Sequence, residues 1–312
     1  MRLPSKVQVM EVGPRDGFQM ERQWIPTEKK IEIVNDLSRL GFKEIQVTSF
    51  VHPKAVPNLA DADELLARID RVPGVKYQAL VPNLRGMQRA LAAKPDRIHL
   101  MMSVTESHNR ANANRSVEES LKEFEQLVPM ALEAGIEPEA GLACVFGCPF
   151  EGEVPWERLE WVAKRYQGMG IKGLNLGDTI GVGNPRQVHD ICARLLDRFP
   201  EMQISLHCHN TRDMALANTV AAMQAGVTHI DGAVGGMGGC PYAPGATGNV
   251  ATEDLVNMLQ EMGVETGIDL DGLIAVSKKL QDLVPHPLDS CMVKAGKRTD
   301  LKPAPKAQKK VG

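Results

Sequence analysis

The segment that decides the fold runs from residue 173 to residue 225: GLNLGDTIGVGNPRQVHDICARLLDRFPEMQISLHCHNTRDMALANTVAAMQA. Two short runs typical of buried strands, residues 173–177 and 204–208, are each followed by a segment with helical spacing, residues 186–199 and 214–225. Strands that are connected through helices run parallel to each other. The segment therefore predicts two successive β-strand–α-helix units of a parallel sheet.

The same unit repeats along most of the chain. The predicted strands cover residues 7–12, 44–48, 75–81, 97–103, 139–146, 173–177, 204–208 and 228–234. Eight such units favour the α/β class and a single closed (β/α)8 TIM barrel over an open sheet. An additional C-terminal helix, residues 270–283, is expected to pack beside the barrel. We predict a catalytic barrel domain over residues 1–290 and a Lys/Pro-rich, disordered tail over residues 291–312.

The composition excludes several functional classes. The chain has 36 Lys plus Arg and 39 Asp plus Glu, a net charge of −3, which predicts neither nucleic acid nor an anionic membrane as a partner. No run approaches the roughly 20 apolar residues of a membrane span, and the chain starts with a predicted strand instead of a secretory signal. We therefore expect a cytoplasmic protein, whose six cysteines are reduced thiols because they have neither redox-pair nor zinc-ribbon spacing.

Polar side chains stand at or just after the ends of most predicted strands. In (β/α)8 enzymes the active site is built at the C-terminal ends of the strands. The residues at these ends are Arg15, Asp16, Gln46, Ser49, Asn83, Ser103, Cys144, Cys148, Asp178, Thr179, His207 and His209. Their convergence on one mouth predicts an enzyme.

Two imidazoles at this mouth indicate a metal site. His207 and His209 are two residues apart at a strand end, so both side chains point to the same face. Asp16 is a natural third ligand at the same rim. The alternatives are that the histidines are buried structural residues and that Asp16 only pairs with Arg15. One carboxylate and two imidazoles without a thiolate favour Mg²⁺ or Mn²⁺, and Zn²⁺ stays open.

A glycine-rich segment, residues 235–249, carries Cys240 between the last strand and the following helix. Such a segment has few backbone constraints, so it can close over a ligand and bring a thiol into a site. A glycine-rich loop is a poor place for a packing residue, which favours a chemical role for Cys240 over a structural one. Asn249 can be a helix N-cap and Asp178 a turn residue. Residues 235–239 are not a dinucleotide fingerprint, because a barrel lacks the required fold.

Four motifs resemble the 3-hydroxy-3-methylglutaryl-CoA lyase family. They are Val12-Gly-Pro-Arg-Asp-Gly-Phe-Gln19, Thr48-Ser-Phe-Val51, Asn175-Leu-Gly-Asp-Thr-Ile-Gly181 and the glycine-rich segment continued to Val256. The resemblance runs from about residue 7 to residue 285. The Arg-Asp and His-x-His elements also occur in isopropylmalate and homocitrate synthases, whereas the Cys240 segment is similar only to the lyases.

The resemblance implies a retro-Claisen cleavage that yields acetyl-CoA and a keto acid, in a homodimer with an acyl-CoA substrate and a role in leucine degradation. It implies that a divalent cation is held by Asp16, His207, His209 and Asn249. It also implies that Arg15 stabilises the enolate oxygen, that Asp178 positions substrate or cation, and that Cys240 is the acid. The implied catalytic residues are Arg15, Asp16, Cys240, His207 and Asp178, and the implied substrate-binding residues are Arg15, Gln19, Gln46, Ser49, Asn83 and Thr179.

Two departures from the family pattern bear on the substrate. The family usually has a glutamate where this chain has Gln46, and a His-Asp-Thr-aromatic-Gly sequence where it has Asn210-Thr-Arg212-Asp213. Gln46 either keeps the shape and hydrogen bonding of the acid, or leaves Arg15 less neutralised and disfavours 3-hydroxy-3-methylglutaryl-CoA. The second view predicts that Gln46→Glu shifts the preference toward that thioester. The alternatives are thus a lyase for another 3-hydroxyacyl-CoA, a Claisen-type acyltransferase, or a non-catalytic binding protein.

Overall fold

A computed structural model describes residues 2–239 and 248–302 and contains a closed barrel of eight parallel strands. The strands are β1 (Gln8–Glu11), β2 (Glu44–Ser49), β3 (Lys76–Leu80), β4 (Arg97–Ser103), β5 (Glu137–Ala143), β6 (Gly173–Asp178), β7 (Gln203–Cys208) and β8 (His229–Gly232). Each strand pairs with its sequence neighbour, and β1 pairs with β8 to close the ring. The predicted (β/α)8 TIM barrel is confirmed.

Helices surround the barrel and cover its outer face. They are Thr27–Ser38, Ala62–Arg68, Leu84–Ala93, Val117–Glu133, Trp156–Gly168, Pro185–Arg198, Ala215–Ala225, Thr252–Glu261 and the additional C-terminal helix Leu270–Gln281. The segments predicted as helical over residues 186–199, 214–225 and 270–283 are among them. Each helix buries its apolar side against the strands, as Leu159, Val162 and Tyr166 do in the helix Trp156–Gly168. None of the helices among the described residues is both long enough and apolar enough to cross a bilayer.

The fifth strand and one helix differ most from the prediction. The strand predicted over residues 139–146 is β5, Glu137–Ala143, because Cys144 has a φ of 61° that a strand cannot continue. The helix Glu106–Ala113 was not predicted, since its sequence is polar and has no apolar spacing. Its Asn109 fixes it from inside, accepting from the Ser103 N–H at 3.0 Å and donating to Ser120 Oγ at 2.8 Å.

The segment predicted as a tail starts with a short helix, Cys291–Ala295. Ser290 caps this helix, and the Asp254 carboxylate accepts from the backbone N–H groups of Cys291 and Met292, each at 2.8 Å. Residues 303–312 lie outside the described residues. The division into a barrel domain and a tail stays a prediction.

Candidate metal centre and active site

The Arg15–Asp16 pair is held by a buried turn that follows β1. Residues Gly13–Gly17 form a single wide turn of helix, and the Asp16 N–H donates to the Val12 carbonyl at 2.8 Å. Glu11 fixes the start of this turn, because its carboxylate accepts from the Gly13 N–H at 2.7 Å and the Val234 N–H at 2.9 Å. The turn therefore depends on both β1 and the end of β8, and it directs Asp16 into the mouth of the barrel.

Asp16, His207 and His209 form a compact cluster of possible metal ligands. The ligand atoms of the three side chains all lie within 4.8 Å of one another, and all three residues are buried. The Nε2 atoms of His207 and His209 are each 4.0 Å from Asp16 Oδ2. The alternation of side chains along the end of β7 thus places both imidazoles on the same face, as predicted.

Asp231 on β8 orients one of these imidazoles and was not recognised from the sequence. Its Oδ2 lies 3.1 Å from His207 Nδ1 and accepts from Asn175 Nδ2 at 2.9 Å. A carboxylate at Nδ1 holds the proton there and leaves Nε2, the atom that faces Asp16, as the acceptor. The available signal was the inward position of a polar residue on β8, but nothing in the sequence indicated which imidazole it would meet.

Asn249 joins the cluster from the segment after β8. Its Nδ2 donates to Asp16 Oδ2 at 2.6 Å and to the Met237 carbonyl at 2.9 Å. The backbone passes so close that a Cβ added at Gly238 would lie 2.4 Å from Asn249 Nδ2 and 3.2 Å from Asp16 Oδ2. Gly238 also has a φ of 112°, so a glycine is required there on both grounds.

The charge states of the cluster suit cation binding at neutral pH. Burial alone would raise the pKa of Asp16, but the charge of Arg15, with His207, His209 and the Asn249 hydrogen bond, outweighs it and lowers this pKa to about 2. Burial, followed by the neighbouring His207, lowers the pKa of His209 to about 4. Asp16 is therefore an anion and His209 a neutral imidazole, which are the forms that coordinate a metal.

The donor set fits a divalent cation. Within the part of the chain that the structure describes, Asn249 Oδ1 and His209 Nδ1 are buried without a hydrogen-bond partner. A buried amide oxygen without a partner is costly unless something else satisfies it, and a cation beside the Asp16 carboxylate would do so. One carboxylate, two imidazoles and an amide oxygen are acceptors that Mg²⁺, Mn²⁺ and Zn²⁺ all use.

Arg15, Gln19 and Gln46 complete the inner surface of the mouth. Arg15 Nη1 pairs with Asp16 Oδ1, and Arg15 Nε donates to Gln46 Oε1. Gln19 Nε2 is 3.4 Å from Asp16 Oδ1. The hydrogen bonds to Gln46 and Asp16 use Nε and Nη1, so the Nη2 edge of the guanidinium can serve a ligand.

The side chains of four other predicted site residues form hydrogen bonds with nearby backbone N–H groups. Ser49 Oγ accepts from the Val51 N–H at 3.1 Å, and Thr179 Oγ1 accepts from the Cys144 N–H at 2.9 Å. Asn83 caps the helix Leu84–Ala93. The Asp178 carboxylate accepts from the N–H groups of residues 182 and 183, each at 3.0 Å. Burial raises the pKa of Asp178, and these hydrogen bonds oppose the rise.

The side chains of these four residues make no hydrogen bond to the metal cluster in the described part of the chain, although the His209 N–H donates to the Asp178 backbone carbonyl at 3.3 Å. Their roles stay predictions. Cys240 lies outside the described residues. The residues on either side of the gap lie near the cluster: a Cβ added at Gly238 would be 3.2 Å from Asp16 Oδ2, and the N–H of Asn210, the residue after His209, donates to the Gly248 carbonyl at 3.0 Å.

The residues that depart from the family pattern after β7 hold loops together. Arg212 Nη1 donates to the carbonyls of Ile180 and Gly181 at 2.9 and 3.1 Å, which links the loop after β7 to the loop after β6. Asn210 Nδ2 donates to Asp213 Oδ1 at 3.2 Å, and Asn210 Oδ1 accepts from the Ala215 N–H at the same distance. These hydrogen bonds are local, and none of them involves a side chain of the ligand cluster.

The chain is similar to proteins of one family over nearly its whole length. The HMGL-like family model matches residues 6–280. A hydroxymethylglutaryl-CoA lyase of Bacillus subtilis is 48% identical over 290 residues, which is 93% of this chain and 97% of that protein. The mitochondrial hydroxymethylglutaryl-CoA lyase of Bos taurus is 43% identical over 271 residues, 87% of this chain and 83% of the other. An HMG-CoA lyase structure from Acinetobacter baumannii, in complex with coenzyme A and 3-methylmalate, superimposes with a TM-score of 0.93 at 43% identity and covers 98% of this chain and 100% of that one.

Proposed function

The chain belongs to the hydroxymethylglutaryl-CoA lyase family, and on that premise we propose that it is a divalent-metal-dependent carbon–carbon lyase that cleaves 3-hydroxy-3-methylglutaryl-CoA to acetyl-CoA and acetoacetate. The observation that carries the proposal is the buried Asp16–His207–His209 cluster at the mouth of the barrel. We further propose that the protein acts in the cytoplasm and that it is a homodimer. Sedimentation of the purified chain would test the homodimer.

The reaction needs two proton transfers, one from the 3-hydroxyl and one to C2, and the site residues can support both. The 3-hydroxyl gives its proton to water, the C2–C3 bond breaks, and the electron pair of that bond passes to C2 as a thioester enolate while C3 becomes a ketone. C2 then takes up one proton to give acetyl-CoA. Asp16, His207, His209 and Asn249 would hold the cation, for which we propose Mg²⁺ or Mn²⁺. A cation bound there supplies Lewis-acid polarisation of the 3-hydroxyl and eases loss of its proton.

Arg15 is suited to the enolate oxygen. Its Nε and Nη1 are fixed by Gln46 and Asp16, so the guanidinium is oriented before substrate arrives. A donor fixed in advance stabilises charge that develops in the transition state without a reorganisation cost. Cys240 is proposed as the acid that protonates C2, from its position in the sequence beside Gly238 and Gly239.

A panel of 3-hydroxyacyl-CoA thioesters tests the proposal. Metal-loaded protein is incubated with each thioester and the products are identified by mass. Acetyl-CoA and acetoacetate from 3-hydroxy-3-methylglutaryl-CoA support it. Cleavage of another thioester alone would show that the chain is a lyase for a different 3-hydroxyacyl-CoA. The amide at position 46 makes that lyase the second candidate function. Release of free CoA from acetyl-CoA and a keto acid would instead indicate a Claisen-type acyltransferase.

A further inference from the structure

The interior of the barrel holds a continuous line of polar side chains below Arg15. Gln46 on β2 and Gln78 on β3 are direct partners in the register of the two strands, and a β-bulge follows Gln46 at once. Both side chains are almost completely buried, at 1% and 0% exposed. Two buried amides on neighbouring strands must satisfy each other or find other partners, because an unpaired buried amide is costly.

The direction of every hydrogen bond in this line is determined by its charged ends. A guanidinium can only donate, so Gln46 must present its oxygen to Arg15 Nε. Its NH₂ group then faces Gln78 and donates to Gln78 Oε1. Gln78 in turn directs its own NH₂ away from Gln46, donating to Glu139 Oε2 at 2.8 Å and Glu44 Oε1 at 3.1 Å. Glu139 fixes this direction, because its contacts with His99 and Arg97 keep it a carboxylate, whereas burial raises the pKa of Glu44 to about 8.

The carboxylate end is anchored independently of the mouth. Arg97 Nη1 donates to Glu44 Oε2 at 3.0 Å and lies 3.4 Å from Glu139 Oε1, and His99 Nδ1 is 2.9 Å from Glu139 Oε2. Glu44, Glu139 and His99 are all buried. These contacts hold the acceptors in place, so Gln78 cannot reverse its amide without bringing its oxygen against a fixed carboxylate oxygen.

We propose that Gln78 is a positioning residue for the lyase reaction, because the Gln46–Gln78 amide pair transmits the orientation imposed by Glu139 and Glu44 to the Arg15 guanidinium. The functional part of this inference rests on the proposed function. The geometric part, that Gln78 fixes the Arg15 Nε–H, does not.

The pair also explains why an amide stands at position 46. A carboxylate there can still accept from Arg15 Nε, but it has no hydrogen to offer Gln78 Oε1. Either two acceptor oxygens then face each other at positions 46 and 78, or Gln78 turns over and its oxygen faces Glu139 Oε2. Gln46→Glu is therefore expected to impair turnover, whereas the electrostatic view of Gln46 expects it to improve turnover of 3-hydroxy-3-methylglutaryl-CoA.

Three variants of the metal-loaded protein test the pair. Gln78→Met keeps the length of the side chain and removes all three hydrogen bonds of the amide. We expect kcat to fall about ten- to hundredfold, with KM and metal affinity changed less than about threefold. The kcat of the Gln46→Glu variant should fall by a similar factor. In the double variant Gln46→Glu with Gln78→Lys, the ammonium can donate to carboxylates on both sides, and at least tenfold of the loss should return. Gln260→Met is the matched control, since the Gln260 amide donates to the Ile268 carbonyl at 2.9 Å on the outside of the barrel.

Nitrogen-15 NMR of protein labelled at the arginine Nε gives a readout that needs no activity. The Arg15 Nε–H signal, assigned by its loss in Arg15→Lys, should exchange slowly in the wild type and in Gln260→Met, and exchange faster or shift in Gln78→Met. An unchanged signal together with unchanged kcat in Gln78→Met overturns the inference, as does a Gln46→Glu variant that is as active as wild type. If the wild type cleaves no thioester, the proposed function fails, and the NMR comparison alone decides whether Gln78 fixes Arg15.

Discussion

Removal of the Asp231 carboxylate should weaken both metal binding and the fold. Asp231 Oδ2 serves both His207 Nδ1 and Asn175 Nδ2, at 3.1 and 2.9 Å. Asp231→Ala leaves both buried groups without this partner, which costs about 1–3 kcal/mol for each, or about 2–6 kcal/mol of unfolding free energy. His207 also loses the group that holds its proton at Nδ1. Loss of such a partner typically lowers metal affinity about 10- to 100-fold.

The assay is a titration of metal-free protein with Mn²⁺, with free Mn²⁺ followed by electron paramagnetic resonance. Asp231→Asn keeps one acceptor oxygen and loses the charge, so its affinity should lie between those of Asp231→Ala and the wild type. Asp61→Asn is the control, because Asp61 pairs with Lys30 at 2.9 Å in a buried contact outside the metal cluster. Wild-type Mn²⁺ affinity in Asp231→Ala, measured where urea unfolding shows the variant to be folded, would refute the orientation of His207 by Asp231.

Two further predictions concern the protonation of His209 and the proton that Cys240 is proposed to donate. The pKa of His209 is about 4 in the folded chain and 6.5 when unperturbed, so the folded state binds fewer protons than the unfolded state between these pH values. This difference contributes about 3 kcal/mol to the free energy of unfolding. The contribution is fully present above pH 6.5 and is lost as pH falls toward 4. The free energy of unfolding in urea should therefore depend on pH differently in metal-free wild type and in His209→Gln, and only in this window. The comparison with the variant is needed because burial raises the pKa of Glu11 and Glu44 to about 8, and these two residues make the free energy of unfolding fall as pH rises. Equal slopes would show that His209 is not held neutral. Cys240→Ala should lower kcat with little change in KM, since proton delivery acts in the transition state, and full kcat in this variant would return the thiol to a packing role.

The strand–helix repeat and the direction of the ligands could be predicted from local sequence. The eight strands follow from short apolar runs between helical segments, and the two-residue period along β7 places His207 and His209 on one face. Barrel closure then brings Asp16 to them, because residues at the ends of all eight strands share one rim. These inferences use only periodicity and topology.

Contacts between side chains of distant strands could not be predicted. Asp231 meets His207 and Gln78 meets Glu139 through inward-facing positions whose partners depend on the barrel's register. The polar helix Glu106–Ala113 is held by Asn109, so a search for apolar spacing passes over it. Ser49, Asn83 and Thr179 stand where the sequence placed them, but a strand-end position does not tell whether a side chain turns to the mouth or bonds its neighbouring backbone.

Metal-dependent formation of acetyl-CoA from 3-hydroxy-3-methylglutaryl-CoA bears most directly on the proposed centre. The rate is measured for protein stripped of metal by exhaustive chelation, for the same protein after Mg²⁺ or Mn²⁺ is restored, and for His207→Ala under both conditions. We expect no turnover without metal, recovery in the wild type, and no recovery in His207→Ala despite near-wild-type resistance to urea. Turnover that survives exhaustive chelation, or that His207→Ala retains in full, would contradict a catalytic cation at Asp16, His207 and His209.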